Sequence, residues 1–430
     1  RGGFGIFYDR IGESLSLQAN RFNGINQQQF LITDASILDL AQFTLGGVTN
    51  VPTVDALTSF SQPQTTRLLA DDLQAPYTIQ SSLSVERQLP YNFTFSATYI
   101  NARALHLLRS RNINAPLPGS IVRDANNRII SAAFPLGAPG NFYQYESSGR
   151  LNQNQLIFGV QNRLNRNFTI FGRYSFNNAR SDTDGANSFP VNQYDVSTEY
   201  GRAGGNSFIG VRHRFTLAGT INAPWGVRLN PFVIASSGQP FNITTGRDTN
   251  GDTLFNDRPA FATDPSKPGV VTTPFGAFDP NPTTGQALIP RNFGTGPSFF
   301  TTNLALSKTF GLGGGGARGA AVAQDGSAGG GGRRGGGGRG GGFGGGGGGR
   351  GGFGGEGSEG RYNLTFTVRF ENLLNNTNEA PPVGNLSSPF FGQSISTAGG
   401  FGFGPGGGGG GGGNTSAGNR RVIGQIRFSF

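Results

Sequence analysis

Apolar and polar residues alternate along several stretches of this chain. A period of two marks a β-strand with one wet and one greasy face. The C-terminal end shows it most plainly. Gly424, Ile426, Phe428 and Phe430 fall on one face, and Gln425, Arg427 and Ser429 on the other. A soluble protein rarely leaves such a strand at its extreme end, because an exposed apolar edge invites aggregation. A barrel in a bilayer needs one there, since its last strand must close the sheet.

The same alternation recurs upstream. Phe93, Phe95, Ala97 and Tyr99 form one face of a strand, Phe168, Ile170, Tyr174 and Phe176 of another, and Tyr362, Leu364, Phe366, Val368 and Phe370 of a third. Weaker cases bring the expected set to about ten strands, near 2–8, 76–89, 91–105, 153–164, 167–178, 207–222, 226–240, 298–310, 361–374 and 421–430. Short turns at Leu89–Tyr91, Leu164–Asn167 and Asn222–Gly226 carry Pro, Asn or Gly. Long segments, 9–75, 106–152, 179–206, 241–297 and 375–420, fall between them. Short and long connections therefore alternate. A membrane barrel has this layout, with tight periplasmic turns on one rim and long extracellular loops on the other. The first strand then runs outward and the last inward. Arg173, Arg369, Arg427, Glu86, Gln155 and Gln161 lie on polar faces and are expected to point into the lumen. Arg87 and Lys308 fall on apolar faces near strand ends, where long stems can snorkel. Tyr8, Tyr99, Tyr174, Tyr362 and Trp225 fall near strand ends, as an aromatic girdle requires.

Composition narrows the class. Hydrophobic residues are 35% of the 430, and no apolar run is long enough for a transmembrane helix. A barrel tolerates that hydropathy, because only alternate residues face lipid. The absence of Cys excludes disulfides, Cys-ligated metals and thiol catalysis. The chain also lacks Met and begins within Arg1-Gly2-Gly3-Phe4, which reads as a fragment or processed piece. The net charge of +10 is carried almost wholly by Arg, the only lysines being Lys267 and Lys308. Attraction to polyanions is one reading; an Arg-rich coding bias is the other.

The order of segments resembles that of Oar-like TonB-dependent receptors. The residues that carry the resemblance are Ala75-Pro76-Tyr77-Thr78-Ile79-Gln80 with Leu83 to Pro90, then Leu107 to Asn114. Arg212-His213-Arg214-Phe215, Ser237 to Phe241 and Asn256-Asp257-Arg258-Pro259 follow, and then Leu306 to Phe310, Phe370 to Asn375 and the terminal strand. The resemblance implies an all-β, antiparallel transmembrane β-barrel of about 22 strands. This chain would be its C-terminal portion, about ten strands. It implies an outer-membrane location in a Gram-negative-type bacterium, contact with lipid and lipopolysaccharide, and insertion by the barrel assembly machinery. That machinery would read Gly424, Ile426, Phe428 and Phe430. It further implies gated uptake or sensing of an unidentified substrate, driven by TonB through an N-terminal part outside this chain. A barrel serving as a surface adhesin is the alternative.

Three regions are expected: barrel strands and loops over 1–310, a disordered Gly/Arg-rich periplasmic insertion over 311–360, and the last strands over 361–430 with a Gly-rich loop at 404–413. Arg339-Gly340-Gly341 and Arg350-Gly351-Gly352-Phe353 look like RGG boxes, which bind single-stranded nucleic acid. No RNA-binding fold accompanies them, so nucleic acid is not expected as a partner and an RGG-type RNA-binding protein is the least favoured reading. Asp248, Asn250, Asp252 and Asp257 resemble the first half of a calcium loop, with oxygen ligands at alternate positions. Thr253 stands where that loop needs glycine, and Pro259 where it needs the bidentate Glu. A solvated Asx-turn loop is the competing reading, and Asp182-Thr183-Asp184-Gly185 is a thinner version. Calcium is the only cofactor considered. No catalytic constellation, nucleophile elbow or P-loop is visible, so no enzyme activity is expected.

Overall fold

The computed structural model describes residues 1–27, 43–44, 47–48, 53, 57, 65–125, 128–165, 167–204, 208–283, 285–312, 362–398 and 418–429. Ten long strands form one antiparallel meander in sequence order. We number them β1 Gly2–Tyr8, β2 Tyr77–Leu89, β3 Phe93–Asn112, β4 Phe142–Asn165, β5 Phe168–Ser181, β6 His213–Ala223, β7 Val227–Ser236, β8 Phe299–Leu312, β9 Tyr362–Glu371 and β10 Arg421–Ser429. Each pairs with the next in sequence order. The sheet is open, with β1 and β10 at its two edges.

Register keeps the two faces separate across the whole sheet. Leu83 lies opposite Tyr99, Tyr99 opposite Leu156, and Phe158 opposite Tyr174. Tyr174 lies opposite Phe215, Leu229 opposite Leu306, and Phe366 opposite Ile426. A slip of one residue would exchange the faces, so the alternation and the pairing specify each other. Arg87 opposes Phe95, and Lys308 opposes both Val227 and Phe366. These are the two basic residues expected to break the pattern. Lys308 sits in the turn-side half of β8, its Nζ 4.8 Å from the Phe310 ring centroid.

The turns explain the tight hairpins. Tyr91 and Asn92 have φ of 61° and 58°, and Trp225 and Gly226 have 62° and 69°. Two successive left-handed residues match the right-handed twist of the flanking strands. Asn and Gly accept that conformation readily; Tyr and Trp do not.

Strand ends depart from expectation where the period is hidden. β3 runs on to Asn112 and β4 starts at Phe142, well before 153. A bulge lies in β3, with register shifts between Ala104 and Leu107 and between Leu107 and Arg109, and His106 at φ 56°. A bulge inserts a residue and breaks the alternation. Beyond it the hairpin is covered on both faces, so polarity no longer reports strand. β6 starts at His213 rather than 207. Helix α1, Glu13–Arg21, and the strand Thr66–Leu69, parallel to the start of β4, lie within the segment read as a plain loop. Gly12 precedes α1 without a side-chain cap, which removes the usual start signal. From residue 313 the Gly/Arg-rich insertion lies outside the described residues, as do 404–413 and Phe430.

Candidate functional site: the loop assembly and the polar face

The long loops fold onto one face of the sheet. Thr78, Ala104, Asn177, Ile234, Thr301 and Asn303 all carry the polar-face parity and sit in the loop-side half of their strands, and each is buried. Apolar-face residues such as Leu83, Val85 and Phe366 stay exposed. The polar face is therefore the interior and the apolar face the lipid contact.

A small apolar nucleus organises the loops. Phe241, Ile243, Phe278 and Ile289 are buried together, with Phe275, Phe293, Leu386 and Phe391 packed around them. Phe278 and Phe293 meet edge to face with centroids 6.0 Å apart. Buried ion pairs then tie segments distant in sequence. Arg258 Nη2 donates to Glu199 Oε1 at 2.8 Å and to the Thr198 carbonyl at 3.1 Å. Both partners of this pair are almost fully buried. Burial pushes the Arg258 guanidinium below its ordinary range, and the Glu199 carboxylate opposes that shift. Arg109 lies 3.2 Å from Asp182 and 3.7 Å from Glu146, and Arg291 lies 2.5 Å from Asp184. The thinner Asp182/Asp184 candidate for cation binding thus has its carboxylates beside arginines.

Asp248, Asn250, Asp252 and Asp257 do come together in one loop. Asp248 accepts from the Gly251 and Thr253 amides, at 2.7 and 2.9 Å. Asp257 accepts from the amide and hydroxyl of Thr249, at 2.6 and 2.7 Å. Asp252 Oδ1 accepts from the Leu254 amide, and its Oδ2 from Gln193 Nε2 at 2.7 Å and Asn250 Nδ2 at 3.1 Å. These are Asx-turn bonds with a cross-loop lock, and a cation would compete with the same donors. Thr253 has φ 66°, the conformation for which a calcium loop uses glycine. Among the described residues, no three His, Cys, Asp or Glu side chains group as a metal site.

Gln193 is the residue that sequence reasoning missed. Its Oε1 accepts from the Asn112 amide at 2.8 Å while its Nε2 serves Asp252. It joins the end of β3 to two loops, and nothing local in sequence signals it. Burial raises the Asp252 carboxyl to about 6, with Asp257 and Asp248 adding to the shift and the bonds to Leu254 and Gln193 opposing it. The folded value lies above the unfolded one, so the folded loop holds the proton more tightly. Loop stability is expected to fall as pH rises from the ordinary carboxyl range to about 6, and to be level above it. Asp252→Asn should reduce that pH dependence, leaving the part from Asp257, whose carboxyl burial also raises. It should also cost the loop about 1–3 kcal/mol at neutral pH, because an amide NH2 would face the Gln193 and Asn250 donors. Hydrogen exchange of 248–258 in the full-length protein, compared across this pH range, checks both effects.

Two hollows accompany this framework. One of about 330 Å³ lies where three loops meet, between Leu117, Ile121, Val191, Tyr194, Asn250 and Arg258. Another, of about 450 Å³, lies near the turns and is lined by Asn92, Gln161, Asn162, Thr169, Phe171 and Thr220. At the sheet edge, Gly424, Ile426 and Phe428 share the lipid-facing parity. Ile426 and Phe428 are exposed, and the Phe428 ring stacks on Tyr362 with centroids 5.9 Å apart.

Comparison with known proteins agrees with this architecture. The profile of the outer membrane beta barrel domain family matches residues 1–318. The fold is similar to the outer membrane transporter YddB from Escherichia coli, at 12% identity over 74% of this chain and 31% of that one, with a TM-score of 0.38. It is also similar to the FrpB iron transporter from Neisseria meningitidis, at 8% identity over 76% of this chain and 31% of that one, with a TM-score of 0.33. The chain thus spans under a third of the length of these two proteins. No curated protein matches it. With the family profile covering most of its length and a meander that separates a lipid face from a polar interior, the chain belongs to the outer membrane β-barrel domain family and resides in the outer membrane.

Proposed function

We propose that this chain is part of an Oar-like, TonB-dependent receptor barrel that takes up or senses a solute. The observation that carries the reading is the loop assembly. Loops fold over the polar face, which would line the passage of a closed barrel. A barrel of about 22 strands would be completed by strands outside this chain. Transport needs such a passage, and the energy for gating comes from TonB in this reading.

The test is solute depletion from a defined medium by cells with the intact gene, cells lacking it, and cells lacking the energy transducer. One or more solutes should be depleted only by the first. Identical depletion by all three overturns the reading. The adhesin alternative is favoured by the buried ion pairs, which fix the outer surface; loss of surface attachment in the gene deletion, with unchanged depletion, would select it.

A further inference from the structure

We propose that the polar face of β5–β10 is a binding wall for anionic solutes that carry two or more phosphate or carboxylate groups. The proposal rests on the reading that this face lines a transport passage. Six arginines share the polar parity: Arg173 on β5, Arg214 on β6, Arg228 on β7, Arg369 on β9, and Arg421 and Arg427 on β10. One carboxylate occurs in these six strands, Glu371, and it lies opposite Arg421. The apolar parity carries only Arg180, at the loop end of β5, and Lys308, towards the turn end of β8.

Coding bias alone does not give this distribution. In the loop assembly the buried arginines come with acids: Arg258 with Glu199, Arg291 with Asp184, Arg109 with Asp182 and Glu146. On the wall, by contrast, six arginines accompany a single acid of these strands, Glu371. A concave surface lined by one sign of charge focuses the field and concentrates counter-ions. Guanidinium groups present planar forks that match phosphate and carboxylate oxygens. Between them stand neutral hydrogen-bonding residues, Thr216, Thr220, Asn230, Ser307, Thr367 and Gln425.

The arginines also follow the length of the wall. Arg214 is the second residue of β6, at the loop end, where it opposes Ser236. Arg228 is the second residue of β7, at the turn, where it opposes Asn222. Those two levels are separated by about 27 Å of strand. Arg173 opposes Thr216, one alternate position from Arg214 on the neighbouring strand. Like charges so placed repel, and a multivalent anion between them removes the repulsion.

The experiment uses the full-length protein in lipid nanodiscs, with inositol hexakisphosphate as probe and myo-inositol as its neutral counterpart, followed by calorimetry. Saturable binding of the hexakisphosphate, weakened by salt, with no binding of myo-inositol, is expected. Arg173→Gln with Arg214→Gln should weaken it at least about tenfold. Arg180→Gln, on the apolar parity, should change it less than about twofold. If the first double variant fails to assemble, Arg369→Gln with Arg427→Gln takes its place and the same loss is expected. No binding by the unaltered protein, equal binding of myo-inositol, or binding insensitive to both double variants overturns the proposal. So does equal loss in Arg180→Gln. Failure of the transport reading is a separate result: hexakisphosphate binding with no gene-dependent solute depletion keeps the wall and removes the uptake. Gene-dependent depletion of uncharged solutes alone, without hexakisphosphate binding, does the reverse.

Discussion

Changing Ile426 and Phe428 together to aspartate is expected to remove the full-length protein from the outer membrane. Both residues are exposed on the lipid-facing parity of β10, opposite Phe366 and Leu364. Placing a charge on the lipid face of a barrel costs up to about 2–4 kcal/mol per residue near the midplane, less for Asp than for Lys or Arg. Two such changes fall on one nine-residue strand whose partner on one side is β9. Its other edge has no partner strand among the described residues, so the strand has little pairing energy to spare. The same residues belong to the segment that the assembly machinery is expected to read. Gln425→Asp with Ser429→Asp, on the polar parity of the same strand, is the control and should leave the protein in place. Density-gradient fractionation, with heat-modifiable migration as the readout of a closed barrel, separates the outcomes. Normal assembly of the Ile426/Phe428 variant would refute the assigned faces.

That test bears on the part of the structure most legible in the sequence. Every one of the ten long strands shows as alternation, because each has lipid on one side and a polar interior on the other. The turns are legible in part: Pro90 with Asn92 and Pro224 with Gly226 signal a tight hairpin, while Tyr91 and Trp225 hold left-handed conformations that their residue types do not announce. Legibility stops where the strands leave the bilayer. The Arg109–Asn112 end of β3 and the Phe142–Tyr145 start of β4 pair with each other but sit under loops on both sides. Environment no longer alternates there, and neither does polarity.

The loop assembly was not legible for a different reason. Its determinants are contacts between residues far apart in the chain. Asn112 and Gln193 are 81 positions apart, Gln193 and Asp252 59, and Glu199 and Arg258 also 59. The Asp248–Asp257 spacing did identify a structured loop. What spacing could not show is that its carboxylates are turned to amide donors and that one of them is locked to Gln193. Likewise Asn256-Asp257-Arg258-Pro259 stood out as a motif, while the partner of its arginine lies in another loop.

That partner gives the second large effect. Glu199→Ala should destabilise the loop assembly by about 3–5 kcal/mol, because it leaves the buried Arg258 cation without its carboxylate. Arg258→Ala should cost a similar amount by stranding Glu199, which also accepts from the Val191 amide at 3.1 Å. Replacing both with apolar residues of similar length, Glu199→Met with Arg258→Met, should recover much of the loss, since neither charge is then buried alone. The strands should be indifferent: both residues lie in loops, outside β1–β10. Outer-membrane yield is therefore expected to stay unchanged in all three variants. Added protease on intact cells should cleave the 183–212 and 237–298 segments faster in the single variants, by about two to four orders of magnitude if cleavage follows the opened population. A double-mutant cycle on those rates measures the coupling directly. Unchanged cleavage in the single variants would show that the apolar nucleus around Phe278 alone holds the loops. Loss of the protein from the membrane would show instead that the loops and the barrel fold as one unit.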